Sequence, residues 1–230
     1  MVFSSFVFLL AFLPIVLLLY YLCPARLRNL VLLVFSLVFY AWGEPVYVLI
    51  MLFSIVFDYA NGRLIEHFKN KNCPGKAKAA LIVDLCGNLA ILGFFKYTDF
   101  VIGSINSITG AGLSLLHIAL PIGISFYTFQ TMSYTIDVYR GEVAAQKNIL
   151  TFATYVTLFP QLIAGPIVQY KTIAEQMEHR KENTSDFSEG IHRFMIGLGK
   201  KVLIANNIGA LWDAIAVLPV DVVCPGSPLL

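Results

Sequence analysis

The stretch "LPIGISFYTFQTMSYTIDVYRGE", Leu120 to Glu142, decides how the chain folds. It is apolar enough to enter a lipid bilayer, yet it carries Ser125, Tyr127, Thr128, Gln130, Thr131, Ser133, Tyr134, Thr135 and Asp137. On a helix turning ~100° per residue, Tyr127, Gln130, Thr131, Tyr134 and Asp137 share one side. Phe126, Phe129, Met132 and Ile136 take the other. In a membrane the apolar side meets lipid. The polar side must meet protein or water, because an unsatisfied polar group in hydrocarbon costs several kcal/mol. The pattern therefore predicts a multi-helix bundle with a polar interior. Interhelical hydrogen bonding and the lining of a wet cavity both fit it. At the end of the stretch, Asp137 reads as a solvated acid beside Arg140.

The rest of the chain sets the same solvent. Of 230 residues, 58% are hydrophobic and 13% charged, with a mean hydropathy of +0.75. Soluble domains run near a quarter charged, so a soluble core could not hide this apolar surface. The predicted class is all-α: a polytopic transmembrane bundle of about six to eight segments, some short, broken or re-entrant. Residues 1–230 read as a single integral-membrane domain. The net charge of +2, with Lys and Arg scattered along the chain, excludes a nucleic-acid partner. Cys23, Cys73, Cys86 and Cys224 show neither a CxxC nor a metal-finger spacing, so no metal site is expected and the thiols read as unreactive.

Spans are read at about 3–22, 28–42, 46–60, 79–97, 113–136 and 149–168, with a last apolar region at about 190–218 broken by "GLGKK" and "ANN". The first lacks a basic stretch before its apolar run, so it reads as a retained helix and not a cleaved signal. Residues 62–78 read as a loop, with five Lys and Arg against Glu66. The positive-inside rule makes that loop cytoplasmic, and the Arg26/Arg28 and Arg140/Lys147 junctions fall on the same side, leaving the N-terminus outside. Residues 98–112 read as an outer Gly-rich loop. Residues 169–193 mix both signs and read as a surface helix, with Ser185 or Asp186 capping the next one. Asp58 and Lys96 read as interfacial, and Asp84 with Asn88 as partners for a neighbouring helix.

"TYVTLFPQLIAGPIVQY" predicts a span kinked at Pro160 and ended by Gly165–Pro166, with Gln161 at the break. Lys200 and Lys201, after a Gly-x-Gly, either snorkel to headgroups or attract an anionic donor. The candidates for a substrate path are thus Tyr127, Gln130, Tyr134, Asp137, Gln161, Gly165 and Pro166, and those for a donor side are Lys200 and Lys201.

Three stretches, "LPIGISFYTFQTMSYTIDVYRGE", "YVTLFPQLIAGPIVQY" and "FMIGLGKKVLIANNIG", resemble in order and separation the membrane-bound O-acyltransferase family. They look most like its branch of alginate O-acetyltransferase membrane subunits and teichoic acid D-alanyl-transfer subunits; "YAWGEP" is similar too. The resemblance implies a bacterial cytoplasmic-membrane, multi-pass enzyme. It takes an acyl group from a cytoplasmic thioester, acetyl-CoA or another, and delivers it to an extracytoplasmic polysaccharide. A periplasmic or extracellular acyltransferase partner is implied, and no bound cofactor. Members of the family are about twice this length, and their essential histidine lies in the remainder. His67, His117, His179 and His192 do not match it, so no catalytic residue is expected among these 230 and the chain reads as an N-terminal portion, inactive alone. A transporter or flippase-like subunit, and a membrane scaffold without chemistry, stay open as alternatives.

Overall fold

A computed structural model describes residues 3–162, 165, 168–178, 180 and 182–216. Pro166 and His179 lie outside them. Every regular element among the described residues is helical. Contacts divide the chain into two compact units, Met1 with Leu13–Arg180, and Val2–Phe12 with Lys181–Leu230.

In the larger unit, α1 is Leu13–Leu22, followed by a 3-10 turn at Ala25–Leu27 and by α2, Arg28–Gly43. Then come α3 (Val48–Asn70), α4 (Pro74–Thr109), α5 (Ile124–Arg140), α6 (Ile149–Thr157), α7 (Phe159–Leu162) and α8 (Tyr170–Glu178). Among the described residues, three helical stretches are long and apolar enough to cross a membrane: Ala25–Gly43, Val48–Asn70 and Pro74–Thr109. They turn Leu49, Phe53, Val56, Val83, Phe94 and Phe100 outward and bury Ser54, Asp58, Asn61, Asp84 and Asn88. That inverted distribution is what a hydrocarbon solvent selects. The chain is an all-α membrane protein.

Two predicted loops are helix instead. Gly62 and Arg63 do not break α3, which runs through most of the basic stretch to Asn70. There Lys69 has a use: its Nζ donates to the carbonyls of Val138 (3.2 Å) and Tyr139 (2.7 Å), satisfying the C-terminus of α5. The real turn is short, because Asn72 adopts a positive φ of 53° and Pro74 opens α4 at a position that needs no N–H donor. Helix α4 then continues across the expected outer loop to Thr109 and stops at Gly110, in the left-handed region at φ 68°. The fifth span starts late. Residues 110–123 form no helix, and side chains hold them down: Leu113 N donates to Asn106 Oδ1 (2.7 Å), and Tyr47 Oη to the Ala119 carbonyl (2.9 Å).

Glycine permits two close approaches. Gly123 sits at φ 80°, and a Cβ there would lie 2.7 Å from the Leu162 carbonyl oxygen. A Cβ on Gly62 would lie 2.8 Å from Cε1 of the buried Tyr134 ring. Helices α3, α4 and α5 pack against one another, and the Gly62–Tyr134 approach lies between α3 and α5.

In the smaller unit, Phe8–Phe12 is a π-helical turn. Helix α9 is Thr184–Gly199, a π-helical segment covers Lys200–Ala205, and α10 is Asn206–Ala216. The expected breaks at "GLGKK" and "ANN" are thus a widened helix and not an interruption. The cap of α9 is Asn183, whose side chain accepts from Ser185 N at 3.0 Å, two residues before the first of the predicted positions.

Gly62→Ala is expected to destabilise the protein by roughly 1–3 kcal/mol through overpacking against Tyr134. Gly93→Ala, with nothing within 4 Å of the added carbon, should be neutral or slightly stabilising. Thermal melting in detergent separates the two.

Candidate functional site

The polar face of α5 is buried along its whole length: Tyr127, Thr131, Tyr134 and Thr135 are fully enclosed, and Gln130 and Asp137 nearly so. Phe126 and Phe129 point outward. Asp137 is therefore not solvated, and its Oδ2 has no hydrogen-bond partner. The turn after it explains the burial: the N–H groups of Gly141 and Glu142 both donate to the Asp137 carbonyl, folding the chain back over the helix end.

At the middle of α5, a junction joins three helices. Helix α6 ends at Leu158, whose ψ of 112° breaks the helix two residues before Pro160, not at the proline. Pro160 instead sits in the first turn of α7, where no N–H is missed. The break sends the Phe159 N–H to Ser36 Oγ on α2 (3.2 Å), away from the Tyr155 carbonyl it would meet in a continuous helix. That freed carbonyl accepts Gln130 Nε2 at 3.0 Å and Gln161 Nε2 at 2.6 Å. Tyr155 Oη donates to the Val168 carbonyl at 2.9 Å. Gly165 closes against the same place, its N–H bonded to the Gln161 carbonyl and its missing Cβ only 2.8 Å from Gln161 Cα.

A second chain of contacts runs toward α8. Tyr134 Oη accepts the Gln146 N–H at 2.9 Å. Gln146 Nε2 donates to Tyr170 Oη (2.8 Å) and Glu178 Oε1 (2.9 Å). The rings of Tyr134, Tyr155, Tyr170 and Phe152 pack edge to face or tilted, with centroids 4.7–6.2 Å apart. A third cluster lies on the other side of α5. Asn88 Nδ2 donates to Asp58 Oδ1 and Thr135 Oγ1 to Asp84 Oδ2, each at 2.6 Å, with all four residues buried. Asp58 is thus central, not interfacial; its span runs ten residues beyond the predicted end, which moves it from the edge to the middle.

Beside α8 opens a cleft of about 590 Å³, lined in part by Arg26, Arg28, Asn29, Gln146, Glu178 and Arg180. The guanidiniums of Arg28 and Arg180 lie 5.2 and 5.9 Å from the Tyr20 ring centroid. Arg180 also donates to the Asn29 side chain and to Tyr20 Oη. Three arginines against one acid make this a place for an anion.

The structure therefore joins Gln130, Gln161 and Gly165 at one junction and puts Tyr134 one bond from another network. Tyr127 packs in the same core, its Oη without a hydrogen-bond partner. Lys200 and Lys201 are exposed in the smaller unit. Gln146, Tyr155, Tyr170 and the Arg26–Arg180 cleft are absent from the sequence-based candidates. A loop glutamine such as Gln146 carries no periodicity, and Tyr155 reads as an ordinary aromatic until its carbonyl is seen to be free. Among the described histidines, His67, His117 and His192 are exposed. Among the described residues, no group of three or more His, Cys, Asp or Glu side chains could hold a metal ion.

Over 93% of its length the chain is 46% identical to the probable alginate O-acetylase AlgI of Pseudomonas aeruginosa, of which it covers 41%. The chain belongs to a membrane-bound O-acyltransferase-like family. It is also 33% identical to the peptidoglycan O-acetyltransferase of Helicobacter pylori, over 93% of the chain and 46% of that protein. To the teichoic acid D-alanyltransferase of Lacticaseibacillus rhamnosus it is 23% identical, over 74% of the chain and 44% of the relative. The acyltransferase-like chain thus spans less than half the length of these relatives. No family model and no solved structure matches it.

Outside the membrane helices, the turn after α5 is tied to α8 by Lys171 Nζ and Glu142 Oε2 at 2.8 Å. The hydrogen bond and charge of Lys171 hold the Glu142 carboxyl below its usual range, and Glu142 in turn raises Lys171. The carboxyl's contribution is present above the unfolded value of ~4.3 and is lost as pH falls through the lowered folded value. Melting curves of the acyltransferase-like chain and its E142Q variant, taken from about pH 7 down to about pH 3, should therefore differ at the top of that range and converge at the bottom. Tyr155→Phe, which removes the bond to Val168, should cost about 1 kcal/mol in the same measurement.

Proposed function

We propose that the chain forms part of a bacterial O-acyltransferase of the cytoplasmic membrane, passing an acyl group from a cytoplasmic thioester to an extracytoplasmic polysaccharide such as alginate. The observation that carries this reading is the 46% identity along 93% of the chain to a probable alginate O-acetylase. The bilayer is its solvent, and a periplasmic or extracellular acyltransferase is its partner in modifying the polymer. The chain is multi-pass with its N-terminus outside, which sets Arg26 and Arg28 on the cytoplasmic face by the positive-inside rule.

In this reading the arginine cleft receives the phosphates of the donor, acetyl-CoA or another acyl thioester, through charge-assisted hydrogen bonds. Lys200 and Lys201 of the smaller unit are separate candidates for attracting an anionic donor. The buried face of α5, with Tyr127, Gln130, Tyr134 and Asp137, and the bend at Gln161 and Gly165 form one wall of the acyl path. Tyr127 Oη and Asp137 Oδ2 are oriented groups left over for a passing ester or hydroxyl. The base that activates the acceptor hydroxyl is a histidine outside these residues, since a base at mid-membrane needs burial and a neighbour to tune it.

A chimera tests this: the chain replaces the matching segment of the P. aeruginosa relative in cells lacking that gene. Acetyl esters should be restored to the polymer. A membrane-inserted, correctly folded chimera yielding unacetylated polymer would overturn the reading. R26Q/R28Q in the chimera should raise the donor KM on the order of tenfold with kcat unchanged. The isolated chain, given labelled acetyl-CoA, should transfer no label.

A further inference from the structure

Asp58 lies ~18 Å along α3 from its Asn70 end and Asp84 ~15 Å along α4 from its Pro74 end, well inside both helices. Both are fully buried. Each carboxyl has one oxygen satisfied at 2.6 Å, by Asn88 and by Thr135. The other two oxygens, Asp58 Oδ2 and Asp84 Oδ1, accept a hydrogen bond from no donor. Asn88 ties the two positions together, its Nδ2 donating to Asp58 Oδ1 at 2.6 Å and to the Asp84 carbonyl at 3.1 Å, so the two carboxyls share one buried face of the α3–α4 contact.

The groups facing them are known from every packed helix. Asn61 comes from α3, Asn88 from α4, Thr131 and Thr135 from α5. Tyr127 of α5 lies close enough to sense Asp58, and Tyr40 of α2 lies behind Tyr127. All of these are neutral, and no Lys, Arg or His among the described residues forms an ion pair with either aspartate.

Two ionised carboxylates in this setting would each bear the desolvation cost of a buried ion and repel one another in a low dielectric. Asn88 and Thr135 supply one donor to each carboxyl, too few to stabilise two negative charges side by side. Two neutral acids would leave those donors facing weaker acceptors. A single proton between Asp58 Oδ2 and Asp84 Oδ1 resolves all of this. It removes the repulsion, turns one orphan acceptor into a donor for the other, and leaves one charge for the amide and hydroxyl donors. We propose that Asp58 and Asp84 form a proton-binding site at membrane depth, holding one proton between them as a carboxylic acid–carboxylate pair at neutral pH. The inference is independent of the acyl-transfer reading, because it concerns helices α3, α4 and α5 alone.

Infrared spectroscopy of the purified chain in detergent at neutral pH tests it. The carbonyl stretch of a protonated carboxyl should be present and should shift when the solvent is exchanged for D2O. It should be lost or displaced in D58N and also in D84N, and kept in D137N, which removes the other buried acid. No protonated-carboxyl band in the unaltered protein, or an unchanged band in either D58N or D84N, overturns the proposal. A second measurement needs no variant: the melting midpoint at fixed ionic strength should not change when sodium or potassium replaces a large organic cation. A midpoint that rises with either metal ion would mean that a cation, and not a proton, bridges the pair.

Discussion

A hydroxyl or amide turned toward hydrocarbon gives up water and receives nothing in exchange. Helix α5 carries more such groups than any neighbour, and the larger unit is arranged to receive them. Helices α3 and α4 meet one flank of α5 with Asp58, Asp84 and Asn88. Helices α6, α7 and α8 meet the other with the Tyr155 carbonyl, Gln161 and Tyr170. The aromatic rings between them fill volume, while the hydrogen bonds fix register. Sliding α5 by one residue would swap Gln130 for Phe129 at the junction and leave the Tyr155 carbonyl without one of its donors.

This division explains what the sequence discloses and what it withholds. The inward side of α5 is legible because its period is local: hydroxyl and amide residues recur at helical spacing within one segment, with Phe126 and Phe129 opposite. The extents of α3 and α4 are less so. Lysines within 62–78 look like a loop because charge at a membrane edge is common to loops and to helices that emerge into water. Only the three-dimensional contact of Lys69 with the end of α5 shows why a helix continues there. Residues 98–112 likewise look like a linker, although of their glycines Gly103 lies within the helix and Gly110 and Gly112 adopt the left-handed backbone that favours glycine. Asp58 illustrates the cost of such an error, since a span ended too early places a central residue at its rim.

The arginine cleft shows another kind of blindness. Its residues come from positions 25 to 180, so no window of sequence holds it. Arg26 and Arg28 look like topological markers, and Arg180 looks like one charge among many. Folding gives all three a shared surface and gives Tyr20 a reason to lie beneath two of them. Charges that a linear reading assigns to topology can thus share one surface once the chain is folded.

The break at Leu158 has a consequence for anyone dissecting this protein by substitution. The atom at the hub is a main-chain oxygen, so every one of the twenty residues at position 155 would still present it. Replacing side chains there reports on the ring and its hydroxyl and leaves the junction itself untouched. What governs the hub is the geometry one turn downstream, where Ser36 captures the Phe159 amide. A change at Ser36, far away in sequence and bland in character, would strip the displaced Phe159 amide of its acceptor and so act on the hub without touching either glutamine.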